Sequence, residues 1–180
     1  MMTKFDWSFL REPIKPIREE NFPKTKEDVD KICEKVNRNE STRTPREPMA
    51  KHIFNNLNQI NTTLKKNDLS VDKKSELVAL ISEGGLKNGR TFKAISFASK
   101  YCSYFNWGFP KYDSVLCNFL NKPEIKEITK SPNIREQDYK TFLSAINALH
   151  EYLSEQNLID NRMTLEELDF IIWNNETRKR

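Results

Sequence analysis

The sequence is poor in the residues from which metal sites and common hydrolase centres are built. Its 180 residues include two histidines and three cysteines, with no HExxH pair, no CxxC motif and no Ser/His/Asp order. Cys33, Cys102 and Cys117 are odd in number and lack the spacing of metal ligands, which argues against a zinc site and against a disulfide framework. We therefore expect no metal and no cofactor.

Long apolar runs are also missing. The N-terminal segment MMTKFDWSFLREPIK lacks the uninterrupted apolar run of a signal peptide, and no stretch approaches the length that spans a membrane. Free cysteines among apolar residues agree with a reducing compartment. We expect a cytoplasmic protein with no membrane partner.

Neither sign of charge dominates. The chain carries 30 basic and 26 acidic residues, a net charge of +4, which is compatible with a nucleic-acid partner without being specific for one. Its 11 phenylalanines supply enough apolar surface for a core, so disorder of the whole chain is not expected.

Strand-like alternation and internal repeats are absent, whereas apolar residues recur at helical spacing along most of the chain. This pattern predicts an all-α, single-domain, multi-helix orthogonal bundle. Pro123 marks either the end of one helix or the first turn of the next. Helices are predicted over 25–39, 48–64, 71–82, 90–105, 113–120 and 134–156, and from a capping box at Thr164 and Glu167 onward.

The proportions of proline and charge predict the domain organisation. Residues 1–24 contain Pro13, Pro16 and Pro23, which forbid a long helix, so we expect an extended N-terminal arm whose aromatic residues pack onto the main body. Residues 25–175 then form the helical domain, and residues 176–180 form a basic tail.

Glycine is scarce, yet three of the four glycines lie in the segment GGLKNGR from Gly84 to Arg90. Backbone amides in such a turn, together with two basic side chains before a helix start, can anchor a phosphate. The same turn is equally compatible with an ordinary helix–helix connection. The predicted DNA-binding residues are Gly85, Lys87, Asn88, Gly89 and Arg90.

The helix predicted over 90–105 is apolar around most of its circumference, which is typical of a helix at the centre of a fold. Its remaining strip is polar and consists of Lys93, Ser96, Lys100 and Ser103. Either this strip is solvated, or it lines a cleft in which a lysine acts as a nucleophile or contacts phosphate. Lys93 and Lys100 are therefore candidate catalytic residues.

Asp113, in the segment FPKYDSV, is placed to begin a helix. An aspartate there can be an N-cap and nothing more. At the mouth of a groove it can also act as a base or stabilise a developing cation. Both interpretations stay open from the sequence, and Asp113 is the third candidate catalytic residue.

GLKNGR, Lys93 and Asp113 together resemble the helix-hairpin-helix DNA glycosylase superfamily over about residues 76–120, with a separation of 20 residues between Lys93 and Asp113. The resemblance implies a glycosylase-like fold and DNA as the partner. It also implies that Asp113 stabilises a sugar cation or activates water while a lysine assists, after the base is flipped from the stack. The cysteine cluster that holds iron and sulfur in some members is absent here.

A second resemblance rests on SFASKYCSYFN, FPKYDS and LDFIIW. These segments are similar to an uncharacterised family of small bacterial and phage-associated helical proteins, and they make Lys100, beside Tyr101, a rival of Lys93. If the chain is an enzyme, the first resemblance implies a glycosylase-like or lyase-like hydrolase. The alternative is a non-catalytic helical module that binds protein or nucleic acid.

Overall fold

The computed structural model describes residues 6–11, 21–40, 42–87, 90–91, 94–136 and 138–179, with β1 and β2 described by their backbone. The predicted all-helical fold is confirmed. After a 3₁₀ turn at Ser8–Arg11, the elements are α1 (Lys26–Asn39), α2 (Arg46–Asn55), α3 (Leu57–Leu64), α4 (Val71–Ser82), β1 (Leu86–Lys87), β2 (Arg90–Thr91), α5 (Ile95–Ser103), α6 (Ser114–Leu120), α7 (Pro123–Thr129), α8 (Tyr139–Glu155) and α9 (Leu165–Arg178).

These elements group into two compact units. The hairpin unit, Ile17–Phe109, contains α1 to α5 and the hairpin of β1 and β2. The α6–α9 unit consists of Met1–Pro16 together with Pro110–Arg180. The division into an arm at 1–24, a domain at 25–175 and a tail at 176–180 stays a prediction, although α9 continues through Arg178 into the last of these segments.

Side-chain caps begin several helices where the sequence predicted them. At α1, Thr25 Oγ1 accepts a hydrogen bond from the Asp28 N–H at 3.1 Å, and the Asp28 carboxylate accepts from the Thr25 N–H at 2.9 Å. Thr164 and Glu167 form the same reciprocal box at α9, and Ser70 caps α4. Each cap satisfies backbone N–H groups that the first helical turn leaves without partners.

The helix predicted over 48–64 is two helices, α2 and α3, separated at Asn56. Asn56 has φ −110° and ψ 14°, and its Nδ2 donates to the His52 carbonyl oxygen at 2.9 Å. An asparagine that bonds the backbone locally competes with the helical hydrogen-bond ladder. The apolar periodicity continues across the break, so spacing alone did not reveal it.

The helix predicted over 90–105 begins five residues later, at Ile95. Residues 90–91 instead pair antiparallel with residues 86–87, and the Asn-Gly pair between the strands is the sequence most typical of a tight hairpin turn. The Ala94 N–H then donates to the Ser82 carbonyl oxygen at 3.1 Å. This bond closes the base of the hairpin against the end of α4.

The structure also resolves where the later helices begin. Pro123 is the first residue of α7, where its missing N–H costs nothing. The helix predicted from residue 134 starts at Tyr139, because Asp138 caps it by accepting from the Thr141 N–H at 3.0 Å.

A row of aromatic rings crosses the core of the hairpin unit. Phe22 stacks on Phe105 with ring centroids 5.0 Å apart, Phe105 meets Tyr101 at 5.3 Å, and Tyr101 meets Phe97 at 6.3 Å. Two of these four rings, Phe97 and Tyr101, belong to α5, which packs against both α1 and α4. Its predicted central place within the fold is therefore explained by its broad apolar circumference.

The core of the α6–α9 unit forms around α8, which packs against α6, α7 and α9. From the N-terminal segment, Trp7 lies edge-on to Phe119 with ring centroids 6.5 Å apart. The α8 side chains with no exposed surface are Phe142, Leu143, Ala145, Ile146, Leu149 and Leu153.

Candidate functional site

Asp113 lies at the N-terminus of α6, as predicted. Its Oδ1 accepts a hydrogen bond from the Val115 N–H at 2.7 Å, and the residue is half-buried. The side chain therefore has a structural role as an N-cap. A catalytic role for Asp113, as a base or as a stabiliser of a developing cation, stays a prediction.

Lys100 is buried, with 7% of its surface exposed, and its Nζ donates to the Glu40 carbonyl oxygen at 3.1 Å. Glu40 is the C-cap of α1. A lysine ammonium at a helix C-terminus satisfies a backbone carbonyl there and offsets the negative end of the helix dipole. Lys100 thus stabilises the contact between α5 and α1, and part of the predicted polar strip faces protein.

Strands β1 and β2, of two residues each, form a β-hairpin between α4 and α5. Its register places Lys87 opposite Arg90. The Gly85 N–H donates to the Ser82 carbonyl oxygen at 3.3 Å, and Gly85 is buried. Three other predicted site residues, Asn88, Gly89 and Lys93, lie outside the described residues.

Gly84 is required by close packing against His52. A Cβ added at Gly84 would lie 2.7 Å from the His52 Cβ, a distance that real side chains do not reach. The His52 Nε2 lies 2.7 Å from the Leu80 carbonyl oxygen and is the donor of this bond, because a carbonyl oxygen can only accept. The histidine and the glycine together anchor the start of the hairpin on α2 and α4.

The predicted site residues therefore fall into two groups. Gly85, Lys87 and Arg90 are brought together in the hairpin, and Lys100 belongs to the same hairpin unit. Asp113 belongs to the α6–α9 unit. Asp113 makes its capping bond to Val115 within the α6–α9 unit, and Lys100 bonds Glu40 within the hairpin unit.

The three cysteine thiols have raised pKa values. Burial raises the pKa of Cys33 to about 12 and that of Cys117 to about 11, and it raises the pKa of Cys102 as well. Thiols with such pKa values stay protonated near neutral pH and are poor nucleophiles. Among residues 6–11, 21–40, 42–87, 90–91, 94–136 and 138–179, no three His, Cys, Asp or Glu side chains cluster so as to hold a metal ion.

Two further observations bear on possible partners. A groove of about 410 Å³ lies where α2 meets α3 and is lined by Lys24, Phe54 and residues 55–59. None of the predicted site residues lines that groove. Within the described segments, every helix is too short or too polar to cross a membrane.

Lys74 is a functional candidate that the sequence reasoning missed. It is buried in α4 with 9% of its surface exposed, and its Nζ lies 5.8 Å from the centroid of the Phe109 ring. Burial lowers the pKa of its amine. The sequence held a signal, because Lys74 stands three residues after Val71 and three before Leu77, on the apolar stripe of its helix.

Comparison with known proteins places the chain in a family. Residues 14–113, which are 100 of the 180 residues, match the family model HI_0787_N, described as an N-terminal domain. The chain belongs to the HI_0787_N family. No curated protein and no solved structure matches it.

The HI_0787_N match covers the whole of the hairpin unit and ends at Asp113. It therefore includes the hairpin, both candidate lysines, Lys74 and the N-cap of α6. The description of the family names no activity, so the resemblance to DNA glycosylases stays a prediction.

Proposed function

We propose that the protein is a helical module that binds DNA through the hairpin of its HI_0787_N domain, without carrying out chemistry on it. The observation that carries the proposal is the register of the hairpin, which places Lys87 directly opposite Arg90. Like charges at facing positions of an antiparallel ladder repel one another. A DNA phosphate bound by both residues would turn that repulsion into attraction.

The anchoring of the hairpin supports this proposal. The Ala94–Ser82 hydrogen bond and the close packing of Gly84 on His52 hold its two ends on α4 and α2. A phosphate-binding loop on a fixed base loses little conformational freedom on binding. The net charge of +4 also favours a polyanionic partner.

The test is duplex DNA binding by the full chain, measured by fluorescence anisotropy over a range of salt concentrations. In the double variant Lys87→Ala/Arg90→Ala, we expect the affinity to fall about tenfold or more at low salt. The slope of log K against log salt should become shallower by about two, because each basic residue contributes about one released counterion.

A matched control removes two charges elsewhere on the same unit. Arg43 and Lys66 are exposed residues outside the hairpin, and Arg43→Ala/Lys66→Ala should change affinity far less than the hairpin variant. Equal losses in the two double variants would show that binding follows net charge and not the hairpin. Wild-type affinity that is independent of salt would rule out phosphate contacts.

A second candidate function is base excision, and one observation favours it. Asp113 caps a helix, which is the position that the resemblance implies for the catalytic aspartate of a glycosylase. In this mechanism Asp113 stabilises the sugar cation or activates water, and Lys93 or Lys100 assists. The lysine role is harder to reconcile with the bond from Lys100 to the Glu40 carbonyl oxygen.

Asp113→Asn separates the two roles, since asparagine caps a helix about as well as aspartate but is no base. If base excision is the function, release of a damaged base from an oligonucleotide should fall at least about a hundredfold in this variant. Asp138→Asn is the control, because Asp138 caps α8 in the same way and should retain activity. Equal activity of wild type and Asp113→Asn would exclude the catalytic role.

A further inference from the structure

The groove where α2 meets α3 has the size of a small-molecule site. Its volume of about 410 Å³ lies within the range of about 300–1,000 Å³ that is typical of such sites. Lys24 and the six consecutive residues 54–59 line it, all within the hairpin unit. Six residues at helical rise extend only about 9 Å, so the groove suits a compact ligand better than an extended chain.

Hydrogen bonds hold the two sides of this groove in place. On one side, the Nδ2 of Asn56 donates to the His52 carbonyl oxygen at 2.9 Å and fixes the break between the two helices. On the other side, the Nδ2 of Asn61 donates to the Pro23 carbonyl oxygen at 2.9 Å, which holds Lys24 beside α3. A site with fixed sides loses little conformational freedom when a ligand binds.

The polar side chains of the groove have hydrogen-bonding capacity to spare. Asn55, Asn58 and Gln59 are exposed, and their carboxamides bond no other described residue. A carboxamide presents a donor and an acceptor side by side. Lys24 is the one charged residue of the lining, and its ammonium forms no ion pair with any described residue. The groove therefore offers paired donors and acceptors together with a single positive charge.

Phe54 adds an aromatic surface to these polar groups. Its side chain is 39% exposed, and it is the one large hydrophobic residue classed as exposed in the described part of the hairpin unit. An exposed ring can stack on the face of a planar heterocycle. Carboxamides can bond the edge of that heterocycle, as asparagine and glutamine do with N6 and N7 of adenine.

We propose that the groove between α2 and α3 binds an adenine nucleotide. Phe54 stacks on the base, the free carboxamides bond its edge, and Lys24 pairs with the phosphate. Free adenosine monophosphate and a nucleotide of single-stranded DNA share this chemistry, and the experiment below separates them. The proposal stands on the groove alone and does not require DNA binding by the hairpin.

The experiment is a titration of the isotope-labelled full chain with adenosine monophosphate, followed by amide NMR. We expect the signals of residues 54–59 to shift and to saturate with a Kd of about 1 mM or tighter. A parallel titration uses a short oligodeoxyadenylate. If the oligomer alone shifts these signals, the nucleotide is bound as part of a single strand. Unshifted signals of residues 54–59 with both probes would overturn the proposal.

Phe54→Ala tests the stacking contact. Removal of the ring should weaken binding of adenosine monophosphate about tenfold, because base–aromatic stacking contributes much of the affinity for a single base. Trp173→Ala is the control, since it removes a side chain of equal exposure, 39%, from the α6–α9 unit and should leave the affinity unchanged. Equal affinities of Phe54→Ala and wild type would contradict stacking on Phe54.

Lys24→Ala tests the phosphate contact. This variant should bind adenosine monophosphate severalfold more weakly but adenosine as well as the wild type does, whereas Lys26→Ala, at an exposed lysine two residues away, should bind both ligands normally. Equal losses for the two ligands in Lys24→Ala would contradict a phosphate contact. Lys87→Ala/Arg90→Ala should retain the wild-type affinity for adenosine monophosphate, so failure of DNA binding by the hairpin is distinguished from failure of this site.

Discussion

Replacement of Lys111 by methionine should lower the free energy of unfolding of the α6–α9 unit by about 3–5 kcal/mol, the cost typical of removing one partner from a buried ion pair. The Lys111 Nζ lies 3.7 Å from the Glu166 Oε1, and the Glu166 side chain has no exposed surface. Methionine keeps most of the volume of lysine but leaves a buried carboxylate without this counter-charge. Urea denaturation followed by circular dichroism measures the loss.

The Lys111 side chain can be replaced without breaking the hydrogen bond that its backbone makes. The Lys111 backbone N–H donates to the Asp169 carboxylate, and that bond survives the substitution. Any loss of stability therefore reports on the ammonium group. Glu166 also lies in the first turn of α9, where the helix dipole favours a negative charge, so the loss should stay near the lower end of the range.

Two companion variants make this prediction specific. Lys122→Met removes a similar pair, with Lys122 Nζ 2.6 Å from Glu176 Oε2, but the Lys122 side chain is 32% exposed, so we expect a loss of about 1 kcal/mol or less. The double variant Lys111→Met/Glu166→Gln removes both charges and should recover much of the stability. Equally small losses of unfolding free energy in Lys111→Met and Lys122→Met would contradict the prediction that Lys111 compensates the charge of a buried Glu166.

Local sequence signals predicted several of the helix starts. Asp113 and Thr164 cap helices at the positions that the sequence predicted, and Thr25 and Ser70 cap α1 and α4 at the predicted start of each helix. A cap is made within three or four residues, so the sequence around it contains nearly all the information required. The all-helical class follows from the same local periodicity.

Contacts between distant segments could not be predicted in this way. The polar strip predicted that Lys100 faces a cleft or solvent, but its Nζ donates to the carbonyl oxygen of Glu40, 60 residues away. Glu166 lies in the first turn of α9, but its burial depends on what packs over it. Such burial is set by tertiary structure, which periodicity within one helix does not encode.

The candidate site shows the same division. The glycine turn was located from composition, but its strands of two residues are too short to show alternation, and the second strand, Arg90–Thr91, was assigned to a helix. The N-cap geometry of Asp113 was predicted, whereas Lys74 was not singled out from the sequence. Its 9% exposure and its neighbour Phe109 are facts of packing.

Replacement of Asn106 should also lower the free energy of unfolding by a large amount, because its one buried amide satisfies three backbone groups. Its Nδ2 donates to the carbonyl oxygens of Leu64 and Lys66 at 2.8 and 2.9 Å, and its Oδ1 accepts from the Gly108 N–H at 2.9 Å. The side chain therefore ties the end of α3 to the segment after α5. With 8% of its surface exposed, water cannot readily replace these bonds.

Asn106→Ala should consequently cost about 3 kcal/mol or more of unfolding free energy, since each buried group left unsatisfied costs about 1–3 kcal/mol. Asn147→Ala is the control. The Asn147 Nδ2 bonds only the Leu143 carbonyl oxygen of its own helix, and alanine favours helix, so we expect little loss of unfolding free energy.

Asn106→Asp is a second test of the same amide. The new carboxylate would face two carbonyl oxygens, which raises its pKa in the folded state above that in the unfolded state. The folded state then binds more protons, so the stability deficit relative to wild type at the same pH should grow as the pH rises through this window and shrink on acidification. A deficit that does not change with pH in urea titrations at pH 4.5 and 7.5 would mean that position 106 is hydrated and that its amide does not hold α3.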